Sequence, residues 1–402
     1  MLDLTTIKEA QKRISEVAFV TPLSFAPFIS SLCGHDIYLK KENLQRTGSF
    51  KLRGAFNKIA ILAESNIGGI VAASAGNHAQ GVAFSASHFG LKATIVMPES
   101  TPLVKVQGVR DFGAKVVLHG ANYDEAYAHA MELSTSENLS FVHPFADDEV
   151  MSGQGTIALE ILEEVNDIDV FVVPIGGGGL ISGVAIAAKA LNPNIRIIGV
   201  AAEGAPAMKE SYDAKTAIDS TSVRTIADGI AVRDTSPVTL EYILKFVDEI
   251  VLVGEDEIAS AILVLLEKQK LLVEGAGAVG VAALMHNKLA LPKGSKVGVV
   301  VSGGNIDVTM LSLIIEKGLT KSARKMKLMV TLMDKPGSLM RFTEILRSVG
   351  ANIVHIGYDR TSIDLEFGEA HVSVAIETKG EAHQAEIRDR LRTDGFSFSE
   401  NS

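Results

Sequence analysis

Between about residues 36 and 320, short and nearly unbroken apolar runs alternate with helical stretches, and this alternation constrains the fold more than any other feature. IGGIVAAS (67–74), KATIVMP (92–98) and AKVVLHG (114–120) read as strands, as do DVFVVPIG (169–176), IRIIGVAAE (195–203) and SKVGVVVSGG (295–304). A strand that is apolar on both faces needs cover on both faces, which is the condition of a parallel sheet flanked by helices. NHAQGVAFSASHFG (77–90) and SGQGTIALEILEEV (152–165) are such helical stretches. The pattern predicts an α/β doubly wound architecture. Most glycine clusters fall just after strands, at the carboxyl ends where open α/β sheets bind ligands.

The pattern changes after Lys321. A short basic segment, KSARKMK, precedes KLMVTLMD (327–334), which alternates with period two. DKPGS is a turn signal, LMRFTEILRSVG (339–350) an amphipathic helix ending on Gly350, and ANIVHIGYDR the start of a strand. AHVSVAIET (370–378) alternates again before the helical tail EAHQAEIRDRLRTDG. The order β-α-β-β-α predicts a small ferredoxin-like sandwich.

Composition narrows the classes. A chain of 402 residues that is 47% hydrophobic suggests two or three domains and can bury a large core without staples. The single cysteine, Cys33, excludes an internal disulfide framework, fits a reducing compartment and is expected to pack as a small buried hydrophobe. No apolar run approaches the roughly 18 residues of a membrane helix. MLDLTTIKEAQKRI reads as a mixed-charge amphipathic helix with no apolar signal core, so a cytoplasmic location is expected. Residues 321–402 hold 12 basic and 12 acidic side chains, so the net charge of −10 lies in residues 1–320. With a net charge of −10 and no concentrated positive face beyond the short segment KSARKMK, nucleic acid is not an expected partner.

Four phrases carry chemistry. In KENLQRTGSFKLRGAFNKIAIL (41–62), Lys51 stands where a loop becomes a helix. A helix N-terminus disfavours an ammonium and eases access to the neutral amine a Schiff-base lysine needs; a lone lysine there is ordinarily just solvated. SAGNHAQGVA (74–83) turns from strand to helix, with Ser74, Ala75, Asn77 and His78 beside glycines. Exposed amides there can nest a carboxylate and Asn77 can donate to a phenolic oxygen, although Ser74 or Asn77 can equally be a helix cap. In PIGGGGLISG (174–183), Gly176, Gly177, Gly178 and Gly179 let backbone N–H groups close around a phosphate. That turn also invites a dinucleotide reading with Glu203 as ribose ligand, but Ile181 occupies the place of the last glycine in G-x-G-x-x-G. In VVVSGGN (299–305), Ser302 ends a strand, where its hydroxyl can pair with a ring nitrogen or simply serve a turn.

Together these phrases resemble the fold-type-II pyridoxal-phosphate enzymes, the tryptophan-synthase-β-like class with two open twisted sheets, and among them the threonine dehydratases. The resemblance covers the whole chain. It implies a catalytic domain over 1–320, with a small subdomain at about 46–149, and a regulatory domain over 321–402. It implies that Lys51 carries pyridoxal 5'-phosphate as a Schiff base with Phe50 against the ring. Asn77 would then bond the ring hydroxyl, Gly176 to Gly179 and Leu180 hold the phosphate, and Ser302 face the ring nitrogen. Ser74, Ala75, Asn77 and His78 would border the substrate carboxylate. Gly229 in ADGIAV (227–232) and Glu274 in VEGAGAVG match family positions beside the cofactor.

The implied reaction is loss of water and then ammonia from L-threonine to give 2-oxobutanoate, and from L-serine to give pyruvate. A neutral Ser302 hydroxyl would leave the ring nitrogen unprotonated and favour rapid elimination. Serine racemases of the same fold carry a second serine as acid/base where this chain has Ala75, which favours dehydration. Their metal pattern would begin at Glu203, but the residue six on is Lys209 in place of Asp, so no metal is expected. DKPGSL (334–339) and ANI (351–353) resemble an ACT domain, a module that binds amino acids between copies. That implies an effector such as isoleucine, valine or a nucleotide, and a homodimer or homotetramer. Three alternatives stand beside this reading: a serine dehydratase or racemase of the same fold, a dinucleotide-binding oxidoreductase, and a non-catalytic amino-acid sensor.

Overall fold

Each of the six apolar runs forms a strand in the structure, a computed structural model that describes residues 2–65 and 67–400. Strands β1 (Leu23–Phe25) and β2 (Asp36–Lys41) come first. They are followed by β3 (Ile70–Ala73), β4 (Ala93–Met97), β5 (Lys115–Leu118) and β6 (Ser140–Phe141). Next are β7 (Val170–Pro174), β8 (Arg196–Ala202), β9 (Glu249–Val253) and β10 (Lys296–Val301). The last four are β11 (Lys325–Met333), β12 (Asn352–Asp359), β13 (Glu369–Glu377) and β14 (Ser397–Glu400).

One sheet runs β1-β2-β10-β7-β8-β9, parallel except for the antiparallel edge strand β1. A second, entirely parallel, runs β5-β4-β3-β6. Both belong to one compact unit, Met1–Ile306. Every residue of β3, β4 and β7 is buried, as unbroken apolar runs require.

Helix-to-helix contact at glycines sets the geometry beneath the cavity described below. A Cβ on Gly54 would stand 2.4 Å from the Val150 carbonyl oxygen, and one on Gly183 2.2 Å from that of Met151. The helices Lys51–Ala63, Asp148–Glu164 and Gly179–Leu191 therefore approach backbone to backbone, which locks the first turn of each relative to the others.

The second unit, Asp307–Ser402, holds the antiparallel sheet β12-β13-β11-β14. Along β11, burial alternates as the period-two pattern predicts, and Val330, Phe342, Val372, Ile376 and Ile387 form its core. The expected β-α-β-β-α order is completed by a further strand, β14, at the polar sequence SFSE, as the β-α-β-β-α-β order of an ACT module implies. β2 was missed: Lys40 lies in it, fully buried, and reads as a solvent-facing residue until its partner Glu160 is seen 2.5 Å away. Cys33 is half-buried rather than buried, its thiol directed at the Ile29 carbonyl. Among the described residues no helix is long and apolar enough to cross a membrane.

Candidate active site

A cavity of about 600 Å³ opens at the carboxyl ends of β3, β7 and β10. All the residues singled out in the four phrases line it, together with Gly229 and Glu274. The helices Lys51–Ala63, Asn77–His88, Gly179–Leu191 and Gly275–Met285 start at its wall, and none of the four has a side-chain cap. Their first-turn N–H groups and the positive ends of their dipoles make the cavity a place for anions. The Tyr123–Ser136 helix, which also starts there, is closed by Asn122.

Lys51 is the first residue of its helix, and the loop before it is stitched to the end of β10. Phe50 N–H donates to the Ser302 carbonyl at 3.0 Å, Gly304 N–H donates to the Gly48 carbonyl at 2.9 Å, and Ser49 bridges Gly303. Lys51 Nζ donates to the Pro144 carbonyl oxygen at 2.8 Å and lies 5.4 Å from the centre of the Phe50 ring. Burial lowers its pKa to about 8, with the Glu274 carboxylate pulling the other way.

Asn77 begins the next helix, and neither it nor Ser74 acts as a cap. The Ser74 hydroxyl accepts from Gly76 N–H at 3.2 Å, while Asn77 Nδ2 donates to Glu274 Oε1 at 2.7 Å. Burial raises the Glu274 pKa to about 7 against the opposing effect of that bond. Gly229 belongs here by contact: a Cβ on it would meet Ala276 at 2.9 Å and Glu274 Oε1 at 3.0 Å. His78 Nε2 meets the Val142 carbonyl at 2.9 Å, and burial followed by the Lys51 charge lowers its pKa to about 3, so the ring is neutral.

The glycine run has a packing reason as well as a ligand-binding one. Gly178 takes φ +89° at the start of its helix. A Cβ on Gly177 would fall 2.5 Å from the Phe145 ring, and one on Gly176 2.8 Å from the Ile230 backbone. Sequence reasoning did not single out Phe145, in a segment with no glycine phrase, or Ile230, which directly follows Gly229, because only the fold brings them against Gly177 and Gly176. The same holds for two ion pairs on the exposed rim, Lys105–Asp228 at 3.1 Å and Arg233–Asp124.

The racemase-like metal pattern finds a different arrangement. Glu203 Oε1 lies 3.9 Å from Lys288 Nζ, which pairs with Glu257 at 3.0 Å, and Lys209 pairs with Asp213. Among the described residues no group of three or more His, Cys, Asp or Glu could hold a metal ion.

A lysine with an accessible neutral form, in a cavity ringed by uncapped helix starts, fits an enzyme that holds a phosphate-bearing aldehyde. Residues 14–303 match the family described as pyridoxal-phosphate dependent enzyme, and the chain belongs to that family, with the fold-type-II architecture and the cofactor expected from the four phrases. Within the family its full-length likeness is to the threonine ammonia-lyases. It is 49% identical to an L-threonine ammonia-lyase of Thermotoga maritima over 397 residues, 98% of each chain. A threonine deaminase isoform from Solanum lycopersicum superposes with a TM-score of 0.73 at 38% identity, covering 78% of this chain and 86% of that one. Maize serine racemase superposes at 0.75 and 37% identity, covering 80% and 98%. The dinucleotide alternative is thereby overturned.

Proposed function

We propose that the chain removes water and then ammonia from L-threonine, yielding 2-oxobutanoate, and treats L-serine likewise to yield pyruvate. The observation that carries this reading is Lys51: a half-buried lysine, hydrogen-bonded to the Pro144 carbonyl, whose desolvation lowers its pKa to about 8, at the wall of a cavity whose helix starts favour anions. The glycine run, which side chains would fill, supports a phosphate held by the backbone N–H groups of Gly176 to Gly179 and Leu180. Asn77 would donate to the ring oxygen, Ser302 meet the ring nitrogen, and Phe50 pack on the ring. The uncapped helix start at Ser74, Ala75, Asn77 and His78 would take the substrate carboxylate.

Bound there, pyridoxal phosphate supplies a conjugated ring that spreads negative charge developing at the substrate Cα. Lys51 Nζ, neutral, removes the Cα proton, and as an ammonium it returns a proton to the departing β-hydroxyl. Neutral His78 adds no charge to compete with the lysine. The released enamine is hydrolysed to the keto acid and ammonia. Ala75 provides no hydroxyl to reprotonate the opposite face, so elimination prevails over racemisation.

This catalytic role is assigned to the first unit and an ACT-type effector role to the second. Isoleucine or valine is the proposed effector class, in a cytoplasmic homodimer or homotetramer. Steady-state turnover of L-threonine and L-serine, with and without isoleucine, valine and AMP, tests the reading. A purified protein loaded with cofactor that releases no keto acid from either substrate overturns it.

A further inference from the structure

Asn305, the last residue of the VVVSGGN phrase, joins three of the site's four phrases to one another. Its side-chain nitrogen donates to the Thr47 carbonyl oxygen and to Asn77 Oδ1, both at 2.8 Å. Its backbone N–H acts on the Glu274 carboxylate, working against the rise in that pKa. Gly48, at φ +73°, makes room for it, since a Cβ there would stand 2.2 Å from Asn305 Oδ1.

The bonding partners fix the direction of both amides. A backbone carbonyl only accepts, so the end of Asn305 that meets Thr47 must be its NH2. The second hydrogen of that NH2 goes to Asn77, so the end of Asn77 facing Asn305 must be its oxygen. The NH2 of Asn77 is thereby turned the other way, giving one hydrogen to Glu274 Oε1 at 2.7 Å and leaving the other for the cavity.

We propose that Asn305 is a positioning residue that fixes the orientation of the Asn77 amide, so that a donor rather than an acceptor faces the oxygen on the cofactor ring. The proposal rests on the reading of Asn77 as partner of that oxygen. With the amide reversed, the Asn77 oxygen would oppose both the Glu274 carboxylate and the ring oxygen, exchanging a charge-assisted hydrogen bond for repulsion.

The test uses the full chain with Asn305→Ala, the isosteric non-donor Asn305→Asp, Asn77→Ala, and the Asn77→Ala/Asn305→Ala pair. Two quantities are read: Kd for pyridoxal phosphate added to cofactor-free protein, and the pH midpoint of the visible absorbance of the lysine-bound cofactor. Each Asn305 variant should weaken binding about tenfold and move the midpoint upward, because an anionic ring oxygen that loses a donor strengthens the proton beside it. The double variant should match Asn77→Ala alone, since Asn305 acts through Asn77. Wild-type values in both Asn305 variants, or additive effects in the double, overturn the proposal. An Asn77→Ala protein unchanged in both quantities overturns the underlying reading of Asn77 instead, and the proposal with it. Should Asn305→Ala fold poorly, Asn305→Asp, which keeps the side chain's shape, decides the matter.

Discussion

Arg53 and Glu160 meet as fork and carboxylate, with two hydrogen bonds of 2.6 and 2.9 Å between side chains that are out of water. Arg53 also gives two bonds of 2.8 Å to Glu42 and reaches Thr156 and the Phe19 carbonyl, so all its donors are used. Lys40 completes a neutral quartet through Glu160. Arg53 is two residues from Lys51, so this network anchors the helix that presents the lysine. Breaking one partner out of a buried pair strands charge. Arg53→Met should therefore destabilise the protein by about 3–5 kcal/mol in urea unfolding. A loss under about 1 kcal/mol would mean that the site relaxes around the missing guanidinium.

The same network gives a pH signature. Burial alone would raise the Glu42 pKa, but the charge and hydrogen bonds of Arg53, with Thr21 and Lys40, outweigh it and hold the carboxyl below 4.5. A carboxyl depressed in the folded state stabilises above its unfolded pKa and loses that contribution as pH falls through the folded one. Glu42→Gln should thus be less stable than the parent at pH 7, by about 3–5 kcal/mol, with the gap narrowing below pH 4.5. Unfolding curves at a series of pH values measure this, and a gap that is constant down to pH 3 refutes it.

Lys51 offers a second titration. In cofactor-free protein only the neutral amine captures the aldehyde, so the rate of appearance of visible absorbance should rise with pH through about 8. Because the Glu274 charge raises the Lys51 pKa, Glu274→Gln should move that midpoint to lower pH. Stopped-flow mixing reads both. Lys51→Ala should lose borohydride-fixable cofactor and fall by at least about a hundredfold in turnover. Retention of a tenth of the activity would remove Lys51 from the mechanism.

Much of this was legible in the chain, and the failures share one cause. Runs such as ATIVM and VFVVP announce buried strands because no other environment accepts them. The glycine, lysine and SAGNH phrases were legible because contiguous residues build a helix start. Phe145, Ile230, Asn305 as the link to Asn77, and the Arg53 quartet were not, since each depends on a partner tens to hundreds of residues away. Lys40 in β2 shows the limit: local pattern says exposed, and only Glu160 explains its burial.

Gly177→Ala tests the packing account of the glycine run. The new methyl would press on the Phe145 ring at 2.5 Å, an overpacking that should cost about 1–3 kcal/mol and weaken cofactor binding. Adding Phe145→Ala should recover part of both losses, because it removes the atoms in the way. Thermal melts and cofactor titration of the single and double variants decide it; a double variant worse than the sum of the singles would place the strain elsewhere.

The effector role of the second unit is tested most directly at the turn DKPGS. Gly337 has φ +92° at the start of the Ser338–Ser348 helix, with nothing within 4 Å of where a Cβ would stand. A valine there strains the backbone without filling any space, so its effect stays local to the turn. Close by, the Asp334 carboxylate accepts from Tyr358 at 3.0 Å and pairs with Arg360 at 2.5 Å, which ties the turn to the end of β12. A ligand shifts activity only by the difference between its affinities for two states of the protein. Gly337→Val in the full chain should therefore leave turnover of L-threonine, measured without effector, within about twofold, while the isoleucine or valine concentration needed for half-effect rises at least about fivefold. Asn352→Ala, which frees Glu377 from its 2.8 Å bond, should act in the same direction. Effector titrations of keto-acid release read both variants. If both respond to isoleucine and valine as the parent does, the effector site does not lie at this turn.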